Sequence, residues 1–146
     1  MENRALTDKI VCSGALFYAK STRRILLLQK SRGKHQGTWG LVGGTNLANE
    51  NPWQGLQREI EEEIGKTPAI KKIVPLELFT SNDQQFQYNT YVLIVEKEFI
   101  PTLNEEHSGY AWCDLNAWPK PLHQGVKTSL NNRSIKTKIE LLLELI

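Results

Sequence analysis

The feature that most constrains the fold is one segment whose start and end both carry helix signals. At its start, Asn51 is a favourable cap residue and Pro52 suits the first helical position. Gln54 stands where a capping-box partner would reach back to the cap. At its end, Gly65 and Pro68 are residues that terminate helices. The sequence therefore predicts a helix that begins at residue 52 and ends just before residue 65.

This predicted helix carries crowded acids beside an apolar stripe. With an advance of about 100° per residue, one face collects four apolar side chains: Trp53, Leu56, Ile60 and Ile64. Glu59 and Glu63 lie beside that stripe and Glu62 continues the same arc, whereas Glu61 falls on the opposite flank and should face water. Like charges at this spacing repel one another unless a cation joins them. Oxygen ligands without a convergent His or Cys favour Mg²⁺ or Mn²⁺, ions that commonly bind together with substrate phosphates.

Strand-forming runs occur on both sides of the helix. The strands are predicted over residues 10–19, 24–29, 70–80, 85–96 and 109–114. The first two surround a polar turn, as in a hairpin, and a glycine-rich loop over residues 31–44 leads into a further short buried strand. An amphipathic terminal helix is predicted over 135–146, with Ser134 as its cap. Strands mixed with two helices predict one domain, residues 1–146, with an α/β or α+β sandwich.

Composition excludes several classes of function. The net charge is +2, from 18 Lys plus Arg against 16 Asp plus Glu, so nucleic acid is not an expected partner. No apolar run approaches the roughly 18 residues that span a bilayer, and Met1–Lys9 lacks an apolar secretory core. The protein is therefore expected to be cytoplasmic, with no membrane partner. Cys12 and Cys113 lack zinc-site spacing and are expected to be buried, reduced thiols.

The acidic segment resembles a known family signature, the Nudix box. The residues that match are Gly44, then five residues, Glu50, then seven, then Arg58-Glu59-Ile60, one residue, Glu62-Glu63, one residue and Gly65. The last position, usually aliphatic, is Lys66 here. The resemblance implies the Nudix fold, an α/β/α sandwich with a mixed central sheet and a catalytic loop–helix–loop. It also implies a hydrolase that cleaves nucleoside diphosphates linked to another group.

The resemblance assigns roles to individual residues of the box. Glu62 and Glu63 would bind the metal ions, Mg²⁺ or Mn²⁺, and Glu59 would be a further ligand or help to position water. The Gly43 carbonyl would complete the coordination shell. Arg58 would form an ion pair with Glu50 that holds the loop against the helix, although its spacing also allows a pair with Glu62.

Residues outside the box are assigned by the same resemblance. Glu106 would act as general base in the reaction of water at phosphorus. The alternative is that Glu105 and Glu106 are only polar residues of a loop. Three residues are candidates for contacts with substrate phosphates: Lys30, Arg32 and His107. Four aromatic residues are candidates for stacking on a nucleobase or for the core: Phe79, Phe86, Tyr88 and Trp118.

Several functions stay open within this class. A nucleoside triphosphate is the favoured substrate, and ADP-ribose, dinucleoside polyphosphates and nucleotide sugars are alternatives. The stretch from Glu105 to Trp112 is similar to some GDP-mannose hydrolases, although these lack the full acidic box. A non-catalytic nucleotide-binding module and an RNA 5′-end hydrolase are further alternatives. The oligomeric state is open as well, since Nudix proteins are frequently homodimers.

Overall fold

The computed structural model of the protein describes residues 9–145, so the predicted helix end at Ile146 lies outside the described residues. The strands in this range are β1 Ile10–Ala19, β2 Arg24–Lys30, β3 Trp39–Gly40, β4 Val42–Thr45, β5 Ile70–Thr80, β6 Phe86–Val95 and β7 His107–Cys113. The helices are α1 Pro52–Ile64, α2 Gln124–Asn131 and α3 Arg133–Glu144. No helix within residues 9–145 is both long enough and apolar enough to cross a membrane.

The strands form one mixed sheet, which confirms that part of the predicted fold. Five strands follow the order β3-β2-β1-β6-β5, while β4 pairs with β1 and β7 pairs with β2. The pairing of β1 with β6 is parallel, and the other pairings are antiparallel. β1 changes partner along its length, because Cys12–Ala15 pair with β4 whereas Tyr18 and Ala19 pair with β2. The pairing with β4 places Gly14 of β1 opposite Gly43 of β4.

Helices cover both faces of this sheet and give the α/β/α sandwich. β1 is buried on both faces, since its successive side chains point in opposite directions. One core contains Ala15 and Phe17 of β1 with the apolar stripe of α1. The other contains Leu16 and Tyr18 of β1 with apolar side chains of α2 and α3. This alternation separates the sheet into an α1 face and an α2 face.

The C-terminal region differs from the sequence prediction. Helix α2 lies in a segment for which the sequence analysis predicted no helix. Its eight residues provide little more than two turns of periodicity, which is too little to indicate a helix. The cap predicted at Ser134 is wrong: α3 begins at Arg133, and the side chain of Asn132 accepts a hydrogen bond from the Ile135 N–H at 3.1 Å. A cap residue lies immediately before the first helical residue, and Asn132 holds that position.

The two thiols are free, but the prediction that they are buried is wrong. Cys12 and Cys113 are both of intermediate exposure. Cys12 lies on the α2 face near the start of β1, where its Sγ is 3.5 Å from the Thr45 hydroxyl. Its side chain borders a cavity instead of packed apolar atoms, and this explains the exposure.

Candidate active site

The acids of α1 are held in place by the two ends of the helix and its apolar face. The Asn51 side chain accepts from the Gln54 N–H at 2.8 Å, and the Asn51 N–H donates to the Gln54 side chain at 3.0 Å, which confirms the capping box. Gly65 ends the helix with a φ of 73°, where glycine is favoured. Leu56 and Ile64 are fully buried on the sheet, as predicted. The acids therefore lie along the edge of a fixed face.

Arg58 ties the loop before the helix to the helix itself. Its Nε and Nη2 donate to the two oxygens of Glu50 at 2.8 and 3.1 Å, and Nη2 also donates to the Thr45 carbonyl at 3.0 Å. Its Nη1 donates to Glu59 at 2.8 Å and to Glu62 at 3.1 Å. The hydrogen bond from Arg58 is the largest cause of a lowered pKa of Glu50. The two pairings that the spacing allows, with Glu50 and with Glu62, thus exist together.

Glu63 is the most buried acid of the site, with 3% exposure. One of its carboxylate oxygens accepts a hydrogen bond from the Gly43 N–H at 2.9 Å. Burial raises the pKa of Glu63 to about 8, and the charges of Glu59 and Glu106 act in the same direction. The Gly43 N–H and the Lys30 ammonium oppose this rise. The backbone thus orients the carboxylate, and the Gly43 N–H and Lys30 only partly compensate its negative charge.

The two adjacent glycines of β4 make room for these carboxylates. Gly43 has a φ of 154°, and a Cβ there would overlap the Ser13 carbonyl and lie 2.8 Å from the Gly14 Cα. A Cβ on Gly44 would overlap the Glu59 carboxylate, whose Cδ would be 2.7 Å away. Glycine at both positions is therefore required by the close approach of β1 and of Glu59.

Glu106 reaches the site from the loop before β7. The Asn104 side chain links this loop to α1, since its Nδ2 donates to the Glu62 carbonyl and its Oδ1 accepts from the Glu106 N–H, each at 3.0 Å. Glu106 is close enough for its charge to contribute, after burial, to the raised pKa of Glu63. Its position is compatible with the role of general base, which stays a prediction.

Glu61 and Glu62 lie on the outer side of the helix. Glu61 is exposed, as predicted. The Glu62 side chain is 51% exposed, and its carboxylate shares the Arg58 Nη1 donor with Glu59. Its part in metal binding stays a prediction.

The oxygen donors of this site fit a divalent cation. Within residues 9–145, no three His, Cys, Asp or Glu side chains form a cluster that could hold a metal ion in their present positions, and the Glu59 carboxylate instead bonds to Arg58 at 2.8 Å. Burial, partly opposed by Arg58, nevertheless raises the pKa of Glu59, and the charges of Glu62 and Glu106 add to that rise. A cation beside Glu59 and Glu63 would remove this repulsion. The Gly43 carbonyl is the further predicted ligand in the same loop.

Two of the three candidate phosphate contacts lie near the acids. The ammonium of Lys30 is close enough to Glu63 to lower its pKa. His107 lies opposite Lys30 in the pairing of β7 with β2 and is 8% exposed. Its buried Nδ1 has no hydrogen-bond partner among residues 9–145. Burial, followed by the Lys30 charge, lowers the pKa of His107. Arg32 instead lies on the surface, 3.6 Å from Glu105.

A cavity of about 640 Å³ lies on the α2 face of the sheet. Three of the four aromatic stacking candidates line it: Phe79, Phe86 and Tyr88. Trp118 packs against the core instead. Lys30 also lines the cavity, so the same residue borders both the acids and this space. Glu77, in the cavity wall, was not among the predicted site residues. Pro75, inside a predicted strand, was the available signal of an irregularity there.

The fold and the site define a class: an α/β/α sandwich with an acidic loop–helix–loop at one edge of a mixed sheet. The family model described as the NUDIX domain matches residues 9–132. The chain therefore belongs to the Nudix family, as the box predicted.

Two named relatives are similar in sequence to parts of this chain. A protein named putative 8-oxo-dGTP diphosphatase 3 from Mycobacterium tuberculosis is 31% identical over 114 residues, which cover 74% of this chain and 52% of the relative. The chain thus spans about half the length of that relative. A nucleoside triphosphatase NudI from Klebsiella pneumoniae is 31% identical over 104 residues, which cover 59% of this chain and 74% of the relative.

Solved structures show the same fold. A MutT NUDIX hydrolase from Burkholderia pseudomallei has a TM-score of 0.66 and 26% identity, with 86% of this chain and 98% of that chain covered. A Nudix hydrolase from M. smegmatis, RenU, has a TM-score of 0.72 and 22% identity, with 90% and 88% covered.

Proposed function

We propose that the protein is a Mg²⁺-dependent pyrophosphohydrolase, with Mn²⁺ as an alternative ion, that cleaves the diphosphate linkage of a nucleotide. The observation that carries this proposal is Glu63, a buried carboxylate fixed by the Gly43 N–H and raised in pKa beside further acids. Such a group is unfavourable in a purely structural role, because its charge is neither solvated nor fully paired. It suits a site that receives a cation together with a phosphate.

The residues of the chain would divide the work of the reaction. A bound divalent ion would neutralise charge on the diphosphate oxygens. Gly43 and the Arg58–Glu50 pair hold the acids and the loop in position. Glu106 would accept a proton from the attacking water as the new oxygen–phosphorus bond forms and the bond to the leaving phosphate breaks. Lys30 and His107 would contact phosphate oxygens.

A nucleoside triphosphate is the substrate class that we favour. Relatives named as a putative 8-oxo-dGTP diphosphatase and as a nucleoside triphosphatase support this choice. Nucleotide sugars such as GDP-mannose, ADP-ribose and dinucleoside polyphosphates are the alternatives, and a non-catalytic nucleotide-binding module is a second class. We further expect a cytoplasmic protein. Whether it is a homodimer is a separate question, which the mass of the protein in solution answers.

The test is release of phosphate-containing products (pyrophosphate, phosphate, a nucleotide or a sugar phosphate) from a panel of these nucleotides with Mg²⁺ or Mn²⁺. Glu63→Gln should lower kcat by about 10²–10³-fold, the usual effect of removing one electrostatic contact in a transition state. Glu61→Gln, which changes an exposed acid of the same helix, is the matched control and should keep full activity. Unchanged metal-dependent release by Glu63→Gln would show that the metal site is wrongly assigned. Tight nucleotide binding without turnover would favour the non-catalytic module.

A further inference from the structure

The cavity on the α2 face has the character of a binding site for part of a small molecule. Its volume of about 640 Å³ is within the usual range for such sites. Much of its wall is apolar or aromatic, including Leu76, Phe79, Phe86, Val126 and Leu130. Of the described residues that line it, one is a lysine and one is a glutamate: Lys30 and Glu77. Since Lys30 also borders the acids, Glu77 is the charged group that the diphosphate chemistry does not explain.

Glu77 faces the cavity because β5 is irregular. The pairing of β5 with β6 shifts so that Pro75 lies opposite Tyr91 and Glu77 opposite Thr90, and Leu76 is an extra residue between them. In a regular strand, the neighbour of buried Leu76 would face the other side of the sheet. The β-bulge instead directs both side chains to the α2 face, and bulges near active sites commonly redirect a side chain in this way.

The Glu77 carboxylate is held with one oxygen available. The Ser129 hydroxyl of α2 donates to its Oε1 at 2.8 Å. In the described part of the chain, no hydrogen bond to the other oxygen is formed. The Tyr88 hydroxyl is near, since the Glu77 charge adds to the effect of burial in raising the pKa of Tyr88. The carboxylate is therefore oriented at the wall of an aromatic cavity and can accept further hydrogen bonds.

We propose that this cavity binds the base of a guanine-type nucleotide and that Glu77 recognises its N1–H and exocyclic amino group. This proposal rests on the proposed function. An ionised carboxylate only accepts hydrogen bonds, and it binds two adjacent donors in a two-pronged arrangement. Guanine and 8-oxoguanine present two such donors side by side. Adenine and cytosine have a ring acceptor at the corresponding edge, and uracil and thymine place carbonyls on both sides of the N–H, so each would oppose the carboxylate.

The remaining walls agree with such a base. Phe79 and Phe86 lie with ring centroids 6.2 Å apart on the same side of the cavity as Glu77, and Phe79 is 49% exposed. An aromatic base would cover these rings and remove that exposed apolar surface from water. Lys30 would then stand at the phosphate end of the same nucleotide, so that Lys30 and Glu77 contact opposite ends of one ligand.

The decisive measurement uses the unmodified protein and changes the ligand. Binding of GMP, IMP and AMP is measured by calorimetry in EDTA, where no metal and no turnover are involved. IMP lacks the exocyclic amino group, and AMP lacks both donors that face Glu77. We expect GMP to bind about tenfold or more tightly than either, the discrimination usual for a two-pronged contact with a base. Equal affinity for the three nucleotides would overturn the proposal, whatever the enzyme assay gives.

A protein variant tests the residue itself. Glu77→Gln exchanges one acceptor for a donor and should reduce the GMP-over-AMP preference to near one, whereas Glu96→Gln, an exposed acid just beyond β6, should leave it unchanged. Thermal unfolding shows whether the variant is folded. Retained guanine preference in folded Glu77→Gln would remove Glu77 from this role. Failure to hydrolyse any nucleotide, with GMP preference intact, would instead count against the proposed function alone.

Discussion

The buried acid Glu63 leads to a quantitative prediction about stability. In metal-free protein, the substitution Glu63→Gln should increase the free energy of unfolding, and the increase should be larger at high pH. Glutamine keeps the oxygen that accepts from the Gly43 N–H at 2.9 Å but carries no charge to be buried. The exchange therefore removes the cost of the charge while it retains the hydrogen bond.

The sign follows from the direction of the pKa change. The pKa of Glu63 is about 8 in the folded protein against 4.5 for an ordinary glutamate. Between these values, the folded chain holds a proton that the unfolded chain has lost, so wild-type stability falls as the pH rises. The fall amounts to about 1.4 kcal/mol per pH unit and ends above the folded pKa, with about 5 kcal/mol as an upper bound in total. Between pH 6 and pH 9, the advantage of Glu63→Gln should grow by roughly 2–3 kcal/mol.

Urea denaturation followed by circular dichroism, in EDTA at pH 6 and pH 9, measures this difference. Glu61→Gln is the control, because it makes the same exchange at an exposed position of the same helix, where no charge is buried. Saturating Mg²⁺ should reverse the order of stability at pH 9, since the cation would bind the charged wild-type site. An equal effect of Glu63→Gln at both pH values would refute the claim that burial of the charge dominates at this position.

Two further predictions concern Arg58 and the cap of α3. Arg58→Lys keeps the charge but cannot reproduce five hydrogen bonds from a planar group, so it should lower both kcat and the melting temperature; full activity in a nucleotide assay would contradict the supporting role of Arg58. Asn132→Ala should reduce the free energy of unfolding by about 1 kcal/mol and Ser134→Ala by less than about 0.5 kcal/mol, as measured by urea denaturation. A larger effect of Ser134→Ala than of Asn132→Ala would show that Ser134 is the cap, as the sequence predicted.

Local signals allowed much of this fold to be predicted. The cap at Asn51, the stop at Gly65 and the apolar stripe of α1 each depend on residues within one helix, and all three agree with the structure. Helix α2 is short, so periodicity could not distinguish it from a connection. The terminal cap was misplaced by two residues, an error typical of helix boundaries.

The orientation of single side chains was less accessible. Glu77 faces the cavity because of a shift in the pairing of two strands, and the sequence of either strand alone does not predict such a shift. The exposed side chain of Glu62 accepts one of the five hydrogen bonds that Arg58 donates to the loop and to the helix. The positions of residues around the helix place Glu62 near the other acids, but they do not show which of the acids Arg58 binds.

The pairing of Gly14 with Gly43 has a consequence for how such an enzyme could change its substrate. Tyr88 lies over Gly14 from the α2 face, so closely that a Cβ on Gly14 would overlap its hydroxyl, while Glu63 reaches Gly43 from the α1 face. Only one layer of backbone separates the cavity wall from the acids. Residues further along the cavity could be substituted so that the cavity accepts a different ligand, while the hydrolytic residues stay unchanged. Replacements at Gly14 or Tyr88 would alter recognition and chemistry together, so we expect substrate redesign to succeed from the Glu77 end of the cavity.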